Sequence, residues 1–177
     1  VSRDTLIRED TSLEKLAGLP AAFDRSPAGT LTAGNSSPFT DGAAALFVVS
    51  PALEAEVPPD AFLTDYEFVA VEPKQGLLMG PGKGMLRILQ RQKLRWEDLD
   101  YIDLHEAFAG QILCNVDAVN DPRYRQEKYG ISYDAGRLDE ERLNPWGSSI
   151  AYGHPFGATG ARMLSQGHAP KIESKNK

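Results

Sequence analysis

The sequence predicts an α/β fold. Three observations carry this expectation. Strand and helix signals alternate along the chain. Residues 43–49 (AAALFVV) form an apolar run with no polar face. Residues 101–104 (YIDL) lead directly into a stretch with apolar residues at helical spacing.

The elements follow in order. Thr11 and Glu14 form a capping-box pair ahead of a short helix at 13–17, which Gly18 and Pro20 stop. Residues 30–33 predict a short strand, and 43–49 a strand buried on both sides. Ser50 and Pro51 can cap a short helix running to Glu56. Residues 67–71 (EFVAV) predict another strand. An amphipathic helix at 81–94 places Met85, Leu86, Ile88 and Leu89 on one side. The strand at 101–104 precedes a helix at 107–119 carrying Phe108, Ile112, Val116 and Val119. Residues 121–144 are charged and only patchily periodic, which predicts an exposed insertion with a short helix at 139–143. The Gly-rich stretch 147–160 enters a helix near Ala158. The resulting organisation is a lead-in at 1–29, a domain at 30–166 and a polar, disordered tail at 167–177.

A chain of 177 residues can bury one real core. The net charge of -6, without a Lys/Arg cluster, argues against nucleic acid as a partner. A single cysteine, Cys114, excludes a disulfide within the chain. It falls on the apolar face of the predicted helix and is expected as a buried structural thiol. Three histidines and this cysteine show no metal-ligand spacing, so no metal is expected. The run at 43–49 is far shorter than the ~20 residues that span a bilayer. No signal peptide is visible, and the chain opens on Val1 rather than Met. Gly80, Gly82 and Gly84 match neither nucleotide-loop spacing and are expected in a strand-to-helix loop.

Three segments carry chemistry. In residues 148–162 (SSIAYGHPFGATGAR), His154 sits between a glycine and a proline, which presents it on a bent loop. It can serve as a base near neutral pH, or it can be a turn histidine that only bonds backbone. In residues 103–109 (DLHEAFA), His105 and Glu106 lie where a strand ends and a helix begins. That position faces ligand sites in open α/β sheets. Glu106 can equally cap the helix. In residues 32–45 (TAGNSSPFTDGAAA), small polar residues between two strands let backbone approach a ligand, or form a plain connection.

Together, and in this order, these segments resemble the thiolase family, over roughly residues 20–165. The matching motifs are T-A-G-N-x-S at 32–37 before D-G-A-A-A at 41–45, E-A-F-A at 106–109, and G-H-P-x-G-A-T-G-A-R at 153–162. His105, where most thiolases have Asn, and the A-Y-G-H-P-F of 151–156 resemble the long-chain 3-ketoacyl-CoA thiolases of fatty-acid β-oxidation, of the trifunctional-complex β-subunit type.

The resemblance implies the C-terminal half of a thiolase fold, a mixed β-sheet flanked by helices without its final strands, and thiolytic cleavage of 3-ketoacyl-CoA by CoA. It implies that His154 activates a nucleophilic cysteine. It implies that His154 and His105 stabilise the thioester oxyanion, the latter through a water. Ser37 would lie near the pantetheine arm of CoA, and Phe108 would line its tunnel. CoA and acyl-CoA would be substrates, with no further cofactor. Partners would be the N-terminal thiolase half, further copies of the full-length protein, and a β-oxidation hydratase/dehydrogenase subunit. The compartment would be the cytoplasm, or the mitochondrion in a eukaryote.

The family's nucleophilic cysteine belongs to the N-terminal half, and its second cysteine to a C-x-G-G segment; Cys114 matches neither, so the chain alone is expected to be inactive. Ser148 also replaces a glycine common in the family. The competing readings are a thiolase-fold protein that binds acyl-CoA or lipid without condensation, and, less in keeping with the motifs, a ketosynthase that uses an acyl carrier protein.

Overall fold

The computed structural model describes residues 5–167. Its helices are α1 (Leu13–Ala17), α2 (Gly80–Gln92), α3 (Ala109–Asn120), α4 (Pro122–Tyr124), α5 (Ser149–Tyr152) and α6 (Gly157–Gly167). The helix expected at 13–17 is α1, but its cap is one residue later than the sequence suggested. Ser12 Oγ accepts from Lys15 N at 3.2 Å, while Thr11 donates its hydroxyl to Arg8 O. Ser50 caps the turn Pro51–Leu53 through Ala52 N, and Asp139 caps Glu140–Arg142 through Glu141 N. In both places a short polar side chain starts a single turn, because local bonding competes well with longer structure there.

The core forms where α2 packs on α3. Leu86 and Leu89 of α2 meet Val116 and Val119 of α3 in one cluster with Trp96, Ile102 and Leu138. The close approach explains the glycines expected in a loop. Gly82 and Gly84 lie inside α2, and a Cβ on Gly82 would come within 3.0 Å of Val119 Cγ1. Asn115, fully buried on α3, supplies what the start of α2 lacks. Its Oδ1 accepts from Gly82 N at 2.8 Å and its Nδ2 donates to Leu78 O at 2.9 Å. An orphan helix N–H is thereby satisfied inside the core.

Residues 121–144 are not an exposed insertion. Tyr129, Ile131, Ala135 and Leu138 are buried in the core. Trp96 N donates to Ala135 O, and Asn120 brackets Leu138 by bonding both its N–H and its C=O. Charged residues between these anchors masked a segment that folds irregularly, through a π-helical turn at Arg125–Tyr129, and so shows no regular period. Leu138→Ala should therefore cost about 2–5 kcal/mol, the range for a fully buried leucine. A urea midpoint unchanged by this substitution would place the segment outside the core.

Cys114 is exposed, not a buried structural thiol. The buried stripe of α3 runs through Asn115, Val116, Ala118 and Val119, and Cys114 points off it. A maleimide should label it in the native chain at nearly the rate seen in urea. Strong protection in the native state would reverse this placement.

The mixed sheet is not assembled among the described residues. They hold isolated bridges instead: Ala21–Thr32 and Ser36–Phe108 antiparallel, Phe39–His154 and Ile102–Leu143 parallel. Residues 101–104 contribute one of these bridges, at Ile102, and Ile102 and Leu104 are buried. Residues 43–49 form neither strand nor helix, and Phe47 is 99% exposed. An apolar extended run becomes a buried strand only when neighbours pair with both edges and cover both faces, and this stretch has none among the described residues. The tail expected to be disordered lies, apart from Gly167, outside the described residues.

Candidate active site

His154 takes its position from the residues on either side. Gly153 ends α5 at φ 89, a left-handed conformation that side chains disfavour. The next backbone N–H, of His154 itself, donates to Pro38 O at 2.9 Å, so the 153–162 segment docks on the 32–45 segment. That segment docks in turn on the third. Ser37 N donates to Ala107 O and Ala109 N donates to Asn35 O, both at 2.9 Å. Small residues at these crossings let three backbones approach, which is the physical content of the motifs read from the sequence.

The result is contact between the two histidines. The His105 and His154 rings lie 4.2 Å apart between centroids, tilted by 39°. Each ring is held through Nδ1. Ser149 Oγ lies 2.8 Å from His105 Nδ1, and Thr159 Oγ1 lies 2.9 Å from His154 Nδ1. Nε2 is therefore the nitrogen of each ring left for chemistry. Both hydroxyls are nearly or fully buried. Burial, with the neighbouring His154 ring and then Arg162, holds the His105 pKa below the ordinary imidazole value. His105 is therefore neutral near pH 7.

Glu106 does not face this contact as a free carboxylate. Its Oε1 accepts from Asn144 Nδ2 at 2.7 Å and its Oε2 from Ile150 N at 3.2 Å, at the first turn of α5. Of the two roles the sequence left open for Glu106, the structure favours a helix cap, but for α5 and not for the helix that follows it in sequence. Asn144, at φ 48, pairs with Leu104 as a strand would: Leu104 N donates to Asn144 Oδ1 at 2.7 Å and Nδ2 donates to Leu104 O at 2.9 Å. This side chain continues the pairing beyond the Ile102–Leu143 bridge and orders the backbone immediately before His105.

Beneath the site, Asp103 is half-buried and its carboxyl pKa is raised, chiefly by burial. Tyr101 donates its hydroxyl to Asp103 Oδ2 at 3.1 Å, and desolvation lifts that phenol to about 12.

Ser37 is half-buried and anchored by its backbone to Ala107, two residues from His105. Phe108 is half-buried and packs edge-on against Phe23 at 5.3 Å. Phe156, at φ 36, lies 4.7 Å from the His154 ring and stacks on Phe39. Among the described residues no group of three or more His, Cys, Asp or Glu side chains could hold a metal, and no helix is long and apolar enough to cross a membrane. The sequence reading missed Ser149, Thr159 and Asn144. Serine and threonine inside a Gly-rich motif, with a histidine in the same segment, were the available signal for the first two. Nothing local marked Asn144, which acts on Leu104, 40 residues earlier in sequence.

Comparison with known proteins identifies the family. Residues 57–175 match the family model described as thiolase, C-terminal domain, and residues 1–52 match thiolase, N-terminal domain. A 3-ketoacyl-CoA thiolase of Photobacterium profundum is 44% identical over 168 residues, covering 94% of this chain and 38% of that protein. One from Cronobacter sakazakii is 46% identical with the same coverage. An acetyl-CoA acetyltransferase of Bacillus anthracis superposes with a TM-score of 0.71 at 34% identity, over 92% of this chain and 36% of that one. Human mitochondrial 3-ketoacyl-CoA thiolase superposes with a TM-score of 0.70 at 28% identity, over 91% and 36% of the two chains. The chain thus spans a little over a third of the length of the relatives it matches. Motifs distant in sequence, the contact they make in space, and a family model over most of the chain converge on one conclusion: this chain belongs to the thiolase family.

Proposed function

We propose that this chain is part of a 3-ketoacyl-CoA thiolase of fatty-acid β-oxidation, which cleaves 3-ketoacyl-CoA with CoA to give acetyl-CoA and a shortened acyl-CoA. The ring contact between His105 and His154 is the observation that carries this reading. It places a base and a neutral donor side by side on two thiolase motifs. In this mechanism a cysteine supplied by thiolase sequence outside the chain gives its proton to His154 Nε2 and attacks the 3-keto carbon. The C2–C3 bond breaks, acetyl-CoA leaves as an enolate that takes up a proton, and the acyl group remains as a cysteine thioester. The thiol of CoA then attacks that thioester and frees the cysteine. His154 and His105 stabilise the oxyanion at each attack, where one preorganised donor is commonly worth about 3 kcal/mol. Ser37 and Phe108 would border the pantetheine arm. CoA and acyl-CoA are the substrates, and the chemistry calls for no further cofactor.

The remaining thiolase sequence would also complete the mixed sheet. The exposed Phe47, Val48, Phe62 and Phe68 support this, since apolar surface of that kind is normally covered. The assembled enzyme would form homo-oligomers and associate with a hydratase/dehydrogenase subunit.

A second reading, acyl-CoA or lipid binding without condensation, draws on the one cysteine of the chain lying in α3 rather than on any of the three motifs. The two readings separate when the chain is combined with a cysteine-bearing N-terminal thiolase half and given acetoacetyl-CoA and CoA. Loss of the ketoacyl absorbance, reduced about 10²–10⁴-fold by His154→Ala, is the expected result. Tight CoA binding without turnover would favour the second reading.

A further inference from the structure

Ser149 is fully buried at the first position of α5. Its hydroxyl carries one proton, and a buried proton without an acceptor is costly. Among the described residues, the hydrogen-bond partner of Ser149 Oγ is His105 Nδ1, at 2.8 Å. The neighbouring residues repeat the clasp: Glu106 Oε2 accepts from Ile150 N. Residues 105 and 106 are thus tied to 149 and 150 by two bonds.

We infer that Ser149 is a positioning residue for His105: it donates its buried proton to Nδ1 and holds the ring as the neutral tautomer with its hydrogen on Nε2. The other neutral tautomer would place two hydrogens in the same short contact or leave the serine proton without an acceptor among the described residues. The doubly protonated ring is opposed by burial, by the His154 ring and by Arg162. Glu106, the carboxylate next in sequence, is occupied by Asn144 and Ile150 N. The consequence for the site is a fixed Nε2–H donor on His105, ready for a carbonyl oxygen or a water without reorganisation. The use of that donor rests on the thiolase reading; the tautomer does not.

The test is histidine ¹⁵N NMR on the full 177-residue chain, which has three histidines, with His105→Gln to assign the signal. In the unsubstituted chain the His105 ring should show one protonated nitrogen, Nε2, without averaging. Ser149→Ala should release it to a mixture of tautomers. The same change should raise its titration midpoint by about 0.5–1 pH unit, because the lost bond favoured the neutral ring. Ser149→Thr, which keeps the hydroxyl, should hold both properties near their starting values. A hydrogen on Nδ1 in the unsubstituted chain, or rapid averaging there, overturns the assignment whatever the variants do. A Ser149→Ala chain with unchanged tautomer and midpoint overturns it too. Failure of the thiolase reading would appear instead as absent turnover in the combined enzyme, with the tautomer intact.

Discussion

Gly153→Ala is expected to destabilise the chain by about 3 kcal/mol or more and to separate the two histidine rings. Two terms add. Gly153 sits at φ 89, where a side chain brings strain of about 1–2 kcal/mol. A Cβ there would also lie 2.2 Å from Thr40 Cγ2 and 2.5 Å from its Oγ1, far inside contact distance. The Thr40 hydroxyl it would meet is buried, with no hydrogen-bond partner among the described residues. Overpacking of this kind typically adds about 1–3 kcal/mol. The strain falls one residue before His154, on the crossing where the His154 N–H meets Pro38 O, so relaxation moves the histidine. Gly160→Ala is the control. It lies in α6 with nothing within 4 Å of an added Cβ, and should be neutral or stabilising by up to about 1 kcal/mol. Urea unfolding of the two variants measures the difference. A cost below about 1 kcal/mol for Gly153→Ala would mean that the loop yields easily and that glycine is not required there.

The chain by itself is expected to give no turnover of acetoacetyl-CoA and CoA above the blank, a loss of the entire activity rather than a fraction of it. His154 can accept a proton but has no thiol on its own motif to take it from. The one cysteine lies in α3, exposed to solvent, among residues that face away from the core. General-base assistance contributes about 10²–10⁴-fold to an attack, but it cannot replace the nucleophile that forms the thioester. Following the ketoacyl absorbance over time checks this. Turnover abolished by Cys114→Ala would show that Cys114 reaches the substrate. Turnover surviving that change would show that the chemistry is not thiolysis.

Much of the site was legible in the sequence. The Gly-His-Pro loop and the strand-to-helix position of His105 each pointed to a candidate, and the order of three motifs placed them in one family. Local rules also located α1 and the cap at Ser50, because a short polar side chain and its own backbone decide such features. The helices α2 and α3 followed from apolar spacing to within two residues at each end.

What failed depended on neighbours distant in sequence. Cys114 was placed on the apolar face of its helix, yet the buried stripe is set by where α2 crosses, and there Asn115 rather than Cys114 turns inward to hold Gly82. Residues 121–144 looked exposed because their period is broken, while Asn120, Trp96 and Arg142 tie them to the core through backbone bonds that no periodicity encodes. Residues 43–49 had the composition of a buried strand, but burial of a strand belongs to the sheet around it and not to the strand. The residue types, their local caps and the identity of the two histidines belong to the sequence alone. Which hydroxyl holds the His105 ring, and how closely the two rings approach, were decided by tertiary structure, because those contacts join residues more than 40 positions apart, a separation that says nothing about their distance in space.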